Sequence, residues 1–207
     1  MQHDFFQEIK KELIEIKDRI PTISEDNAFV VWFLKAFITD NEDEAFHSIA
    51  GMANDKGCDA VYIDHKNRMV FLVQGKYHKF SESNAKLSDV VALAELGRCI
   101  LLDRKEPFDS LLNKANANVQ QKLIEARNQI HRQGYQLILN FVTTGKVSPV
   151  HLRQAEANID EFENARFQSY SKSDLLTLGT NLGGVLSKSN ISTTVASTDI
   201  LNLVRST

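Results

Sequence analysis

The chain has 207 residues, of which 43% are hydrophobic and 25% are charged, a composition typical of one sizeable soluble globular domain. The formal net charge of −3 argues against a large basic surface for nucleic acid, although it leaves room for a local one. No apolar run approaches the roughly 18 residues of a membrane-spanning helix, so we expect no membrane partner. Cys58 and Cys99 lie in separate apolar segments without a zinc-type cluster, which predicts reduced thiols in a cytoplasmic protein.

Two helices are predicted at the amino terminus. Apolar residues recur at helical spacing through residues 3–19, and Pro21 ends that segment. A second helix is expected from Ser24, a suitable N-cap, to about Thr39. Glu25 lies in its first turn, where the helix dipole favours an acid. The wide apolar stripe of this helix, typical of packing on a sheet, consists of Phe29, Trp32, Phe33, Ala36 and Phe37.

The next segment is predicted to be a polar loop followed by a short strand. Glu42, Asp43 and Glu44 are interpreted as solvated loop acids, and residues 46–49 as the first strand of the sheet. A lone histidine such as His47 is more often structural than catalytic, so both roles stay open for it.

A hairpin is predicted next, with strands from Cys58 to Ile63 and from Met69 to Tyr77. Both segments are rich in β-branched, aromatic and other apolar residues. The polar residues 64–67 between them suit a tight turn. We therefore expect Ile63 to pair with Arg68.

This register brings three polar side chains together. Asp59 lies opposite Leu72 and diagonal to Gln74, and diagonal neighbours in a sheet are about 7–8 Å apart. Side chains alternate along a strand, so Asp59, Gln74 and Lys76 point to the same face. A gap of this size suits one cation with oxygen ligands. The open end of the hairpin is therefore the candidate site.

Two further helices are predicted after the hairpin. The loop that follows Lys76 carries His78 and Lys79, which either contact phosphates or are plain exposed loop residues. One helix is expected from Leu87 to about Leu102. A second, from about Asp109 to Arg132, is expected to end at Gly134.

The remaining segments complete an α/β pattern. Tyr135 to Thr143 is almost continuously apolar, which is typical of a strand buried on both faces. Ser148 and Pro149 open another helix, Ala165 to Tyr170 is predicted to be an outer strand, and a short helix starts near Ser173. This order of elements favours an α/β sandwich with a mixed sheet.

The polar residues of the hairpin also carry a family resemblance. Asp59 followed by Gln74-Gly75-Lys76 resembles the PD-(D/E)XK nuclease superfamily, in the variant with glutamine at the acidic position that Mrr-type restriction endonucleases have. The segments NDKGCDAVYID (54–64) and LVQGKY (72–77) are similar to the amino-terminal domain of AIPR (abortive infection phage resistance) proteins. Outside these segments the agreement is in the order of elements alone.

The resemblance implies a fold and a division of the chain. The fold is a restriction-endonuclease-like three-layer sandwich, in which helices flank a mixed central sheet. This nuclease domain would cover residues 1–182, with residues 1–20 as an amino-terminal helix. Residues 183–207 form a polar carboxy-terminal segment, which we interpret as the start of a further region of a longer protein.

The resemblance also implies an activity, which is hydrolysis of DNA phosphodiester bonds with Mg²⁺ or Mn²⁺ in defence against phage. Asp59 and Gln74 would bind the metal together with an acid from the first core helix, for which Glu25 is the candidate and Asp26 the neighbour most easily confused with it. Lys76 would orient or deprotonate the attacking water. His78 and Lys79 are the candidates for substrate binding.

Several alternatives stay open. RNA could replace DNA as the substrate, and the chain could act as a homodimer, with a carboxy-terminal region or with a partner protein of a defence system. A module of this fold could also bind nucleic acid or a protein without cutting. In the plainest alternative, Lys76 and Asp59 form a half-buried ion pair at the end of a sheet.

Overall fold

The computed structural model describes residues 2–50, 57–79 and 83–181. Motif residues 54–56 and the predicted carboxy-terminal segment 183–207 lie outside these ranges. No helix within the described part of the chain is long and apolar enough to cross a membrane. The described elements are α1 (Gln2–Arg19), α2 (Glu25–Phe37), α3 (Glu42–Ser48), β1 (Ala60–Asp64), β2 (Met69–Lys76), α4 (Leu87–Leu101), α5 (Glu106–Leu112), α6 (Ala117–Gln133), β3 (Gln136–Thr143), α7 (Pro149–Glu156), β4 (Ala165–Tyr170) and α8 (Lys172–Asn181).

The four strands form one mixed sheet in the order β1-β2-β3-β4. β1 runs antiparallel to β2, whereas β2, β3 and β4 are parallel to one another. β3 is an interior strand, and its residues from Leu137 to Thr143 are all buried, because helices cover both faces of the sheet. The predicted mixed sheet is therefore confirmed.

Two apolar layers enclose this sheet. One layer packs side chains of α1, α2, α3 and α8 against the face that carries Phe71 and Val73. The other packs α4, α5, α6 and α7 against the face that carries Leu72 and Leu139. The molecule is thus a mixed α/β protein whose layers are compatible with an α/β sandwich.

The first strand predicted for the sheet, residues 46–49, is wrong. These residues belong mostly to helix α3, and Ile49 makes an isolated bridge to Ala60. Asn41 starts the helix, because its side chain accepts from the backbone N–H groups of Asp43 and Glu44. An acidic first turn also favours a helix through its dipole, so residues 42–44 are helical rather than loop acids.

The long helix predicted from Asp109 to Arg132 is also wrong, since the chain forms α5 and α6 instead. Asn116 caps α6 by accepting from the backbone N–H of Val119 at 3.0 Å. Gln120 then donates to the carbonyl of Leu112, the last residue of α5, and to that of Ala115 in the link between the helices. An asparagine inside a periodic apolar pattern can begin a new helix, and the prediction overlooked this signal.

The hairpin forms with a shifted register. Ile63 pairs with Val70, and the turn begins after Asp64. The Asp64 carboxylate accepts from both the backbone N–H and the side-chain amide of Asn67, and this pair of bonds fixes the turn. A shift by an even number of residues keeps every side chain on its predicted face.

The carboxyl end of α4 is fixed by one arginine. The Arg127 guanidinium donates to the backbone carbonyls of Cys99, Ile100, Leu102 and Asp103. The carbonyls of Cys99 and Ile100 are among those that the end of a helix leaves without an intrahelical partner. Neither Cys58 nor Cys99 forms a disulfide within the described residues.

Candidate functional site

Asp59 and Gln74 lie in direct contact at the open end of the hairpin, and both side chains are buried. Gln74 donates through Nε2 to Asp59 Oδ2 at 2.7 Å. The backbone N–H of Gly75 donates to the same oxygen at 2.8 Å. The register shift places Asp59 beside the end of β2 rather than opposite Leu72. The predicted meeting of these two side chains is therefore observed, at closer range than expected.

The other polar atom of the Gln74 amide, Oε1, is buried and accepts no hydrogen bond in the described structure. An acceptor that loses its water without gaining a partner costs about 1–3 kcal/mol. Such a group in a folded protein calls for a ligand, an ion or an ordered water. Its position beside a carboxylate favours a cation.

Lys76 follows on the same strand and forms an ion pair with an acid of α2. Its Nζ lies 3.3 Å from Oδ2 of Asp26, and the backbone N–H of Tyr77 donates to Oδ1 of the same carboxylate at 2.8 Å. The α2 acid at the site is therefore Asp26. The prediction from the sequence favoured Glu25 for this place and named Asp26 as the neighbour most easily confused with it.

Glu25 lies beside a different lysine. Its Oε1 is 3.1 Å from Nζ of Lys79, and both side chains are largely exposed. Exposed ion pairs of this kind are worth about 0–1 kcal/mol. The structure thus brings Glu25 and Lys79 together at the rim and not at the Asp59–Gln74 contact.

The ammonium of Lys76 is held in its charged form. Burial lowers the pKa of Lys76 more than any other single influence, but the attraction of Asp26, Asp59 and Asp89 together outweighs it and raises the pKa above 10.5. Lys76 is therefore a cation at neutral pH. It can orient water and offset negative charge, but it is a poor general base in this arrangement.

Asp26 reaches this position because Gly75 lets α2 approach β2 closely. A Cβ at position 75 would lie 2.4 Å from Cγ2 of Val30 and 3.3 Å from the backbone oxygen of Asp26. Any side chain at this position would push the first turns of α2 away from the strand. The glycine between Gln74 and Lys76 is thus a packing requirement of the site.

Two threonines at the end of β3 hold the segment after Lys76. Thr143 donates to the carbonyl of Lys76 at 3.0 Å. Thr144 accepts from the backbone N–H of His78 at 2.7 Å and donates to its carbonyl at 3.0 Å. Neither threonine was predicted from the sequence to take part in the site.

The rings of His78 and His47 both lie against nearby segments of the chain. The Nε2 atom of His78 is buried, and its ring lies against Gly145. The Nδ1 atom of His47 lies 2.6 Å from the carbonyl of Asp43, one turn earlier in α3. The His47 ring therefore bonds within its own helix, whereas the Nε2 atom of His78 makes no hydrogen bond in the described structure, and a role of His78 in substrate binding stays a prediction.

The site offers oxygen atoms, which are the type of ligand that a hard cation prefers. Mg²⁺ prefers oxygen ligands and binds few protein groups, because it retains water molecules. Asp59 and Asp26 offer carboxylates, and Gln74 offers the buried amide oxygen. Within residues 2–50, 57–79 and 83–181, no three His, Cys, Asp or Glu side chains converge closely enough to hold a metal ion. Any cation here would depend on the amide oxygen and on water.

Comparison with known proteins yields no relative, since no family model, no curated protein and no solved structure matches the chain. The resemblance to PD-(D/E)XK nucleases therefore stays a prediction.

We expect Gly75→Ala to destabilise the fold by about 1–3 kcal/mol, because the added methyl group overlaps Val30. Val30→Ala removes the overlapping atom, so Gly75→Ala should cost less in that background. The measurement is a double-mutant cycle by urea denaturation. Purely additive losses would mean that the contact between Gly75 and Val30 does not set the position of α2.

We expect the pKa of Lys76 to lie above 10.5, and Asp26→Asn to lower it. A raised pKa means that the folded state holds this proton more tightly than the unfolded chain does. The resulting stabilisation is fully present below about pH 10.5 and is lost as the pH rises through the folded value. NMR titration of ¹³C-labelled lysine measures the pKa of Lys76 in the wild type and in Asp26→Asn. An unchanged Lys76 titration in Asp26→Asn would contradict the ion pair.

Proposed function

We propose that this protein is a Mg²⁺-dependent nuclease that hydrolyses DNA phosphodiester bonds at the Asp59–Gln74–Lys76 site. The observation that carries the proposal is the buried Gln74 oxygen without a hydrogen-bond partner, adjacent to the Asp59 carboxylate. The mixed sheet with helices on both faces is compatible with the restriction-endonuclease-like sandwich that the resemblance implies. A role in defence against phage follows from the resemblance to AIPR proteins alone.

The residues of the site divide the chemistry between them. Asp59, the Gln74 oxygen and Asp26 would hold the cation, which when bound activates water and neutralises charge on phosphate oxygens. Lys76, protonated at neutral pH, supplies a fixed positive charge for the negative charge that develops at phosphorus. Its ion pair with Asp26 keeps the ammonium at the rim of the site.

A second candidate function is a nuclease-like module that binds nucleic acid or a protein without cutting. It is favoured by the hydrogen bonds that Asp59 Oδ2 already accepts from Gln74 and Gly75. A closed arrangement of this kind is stable without a metal. Dependence of cleavage on a divalent cation separates the two functions.

We expect cleavage of plasmid or single-stranded DNA in Mg²⁺ or Mn²⁺ and none in EDTA. Lys76→Ala should lower the rate by about 100-fold or more, since it removes the positive charge from the site. The matched control is Lys66→Ala, an exposed lysine in the turn at the other end of the same hairpin, which should cleave like the wild type. Metal-independent cleavage, or equal rates for both variants, would refute the proposal.

A metal titration tests the role assigned to Gln74. Gln74→Glu adds a negative charge without much change in the length of the side chain. The metal concentration needed for half-saturation should therefore fall by on the order of tenfold. Gln74→Ala and Asp59→Asn should weaken binding. Calorimetry with Mn²⁺ measures all of them, with Gln136→Glu at the far end of β3 as the control for added charge. Superimposable curves would mean that Gln74 is not a ligand.

A further inference from the structure

Beyond Lys76, the last residue of β2, side-chain hydroxyls hold the chain beside the end of β3. The carbonyl of Lys76 accepts from Thr143 Oγ1 at 3.0 Å and from the backbone N–H of Thr144 at 3.3 Å. Thr144 Oγ1 accepts from the backbone N–H of His78 at 2.7 Å and donates to the carbonyl of His78 at 3.0 Å. A single hydroxyl therefore satisfies both backbone polar groups of His78.

Each of the two threonine hydroxyls is buried, and each both donates and accepts a hydrogen bond. Thr143 is 0% exposed and Thr144 is 3% exposed. Thr143 Oγ1 also accepts from the backbone N–H of Gly145 at 3.0 Å. A hydroxyl has one proton to donate, and in both threonines that proton goes to a backbone carbonyl. The orientation of each hydroxyl is therefore fixed by the backbone that it binds.

Gly145 brings the chain after β3 against the same segment. A Cβ at position 145 would lie 2.8 Å from Cδ2 of His78 and 2.4 Å from the backbone oxygen of Ser83. A side chain at this position would push the two segments apart. All three residues of the run 143–145 therefore lie against residues 76–78.

The segment 76–78 is also held from α2. Asp26 Oδ1 accepts from the backbone N–H of Tyr77 at 2.8 Å, and Asp26 Oδ2 lies 3.3 Å from Nζ of Lys76. Side chains from the end of β3 bind the backbone of Lys76 and His78, and a side chain from α2 binds the residue between them. The position of the Lys76 backbone is thus set from two elements at once.

We propose that Thr143 and Thr144 are positioning residues, which hold the backbone of residues 76–78 so that the Lys76 ammonium lies at the candidate site. This inference rests on the proposed nuclease function. The lysine side chain is a flexible four-carbon stem, so its charge is well placed only when its backbone and its partner Asp26 are both fixed. Misplacing a reacting group by about 1 Å can lower a rate by about 100-fold.

Exchange of the hydroxyl for a methyl group tests the proposal. Thr143→Val and Thr144→Val keep the branched shape and remove the hydroxyl, whereas Thr143→Ser and Thr144→Ser keep the hydroxyl. Each valine variant should lower kcat of DNA cleavage by about 10- to 100-fold at saturating metal. The Mg²⁺ concentration for half-maximal rate should stay unchanged, because the threonines act on Lys76 and not on the metal. Each serine variant should recover most of the wild-type kcat.

Thr39 provides the matched control. It is 7% exposed, and its hydroxyl donates to Glu44 and accepts from the backbone N–H of Asn41. Thr39 lies beyond the carboxyl end of α2, whereas Asp26 lies in the first turn of that helix. Thr39→Val therefore loses a comparable pair of bonds far from the site and should keep the wild-type kcat. Urea denaturation of all variants verifies that a lower kcat is not a loss of fold.

Hydrogen exchange of single amides, followed by NMR, tests the inference without cleavage. If the threonines and Asp26 hold one segment, removing a threonine hydroxyl should speed exchange of the Tyr77 amide, which donates to Asp26. The serine variants should leave that exchange unchanged. The amide of Gly75, which donates to Asp59, should exchange in every variant as it does in the wild type.

The outcomes separate this inference from the nuclease proposal. Faster exchange at Tyr77 together with a lower kcat in the valine variants, both restored by serine, supports the positioning role. Unchanged exchange at Tyr77, or a wild-type kcat in the valine variants, overturns this inference and leaves the nuclease proposal standing. Absence of metal-dependent cleavage by the wild type overturns the nuclease proposal and the catalytic part of this inference with it. Exchange at Tyr77 still decides in that case whether the threonines hold the segment.

Discussion

A single carboxylate oxygen, Oδ2 of Asp59, joins the beginning of β1 to the end of β2. It accepts both the side-chain amide of Gln74 and the backbone N–H of Gly75 within a buried environment. Hydrogen bonds to a charged acceptor contribute about 1.5–3 kcal/mol, and a buried carboxylate without them would be costly. The other features of the site, including the orientation of the Gln74 amide, depend on this contact.

The packing of α2 supplies the second half of the site. Because Gly75 has no side chain, the first turns of the helix can lie directly over the strand, and Asp26 then meets Lys76 and the backbone of Tyr77. The same close approach supports the stacked rings of Phe29 and Trp32 in the core beneath. Core packing and site geometry are therefore consequences of one contact surface.

The sequence predicted the features that depend on hydrophobic periodicity. The predictions failed where a single polar side chain determines the local structure. Alternation along β2 was sufficient to place Gln74 and Lys76, and an even register shift left their faces unchanged. Most of the predicted first strand belongs to α3, because the Asn41 side chain caps that helix. Periodicity alone does not reveal such a cap. The choice between Glu25 and Asp26 depends on the rotation of α2 about its axis, and that rotation is set by its contact with Gly75.

The two halves of the site differ in how far along the chain their partners lie. The bond from Gly75 to Asp59 closes a loop of 16 residues within one hairpin, whereas the bond from Tyr77 to Asp26 spans 51 residues and requires α2 to be docked. Short loops close at a lower entropic cost than long ones. The Asp59 half can therefore form with the hairpin alone, while the Asp26 half waits for the helix. Transient undocking of α2 would leave the amide proton of Gly75 protected from exchange and expose that of Tyr77, so the site is assembled from one early and one late contact.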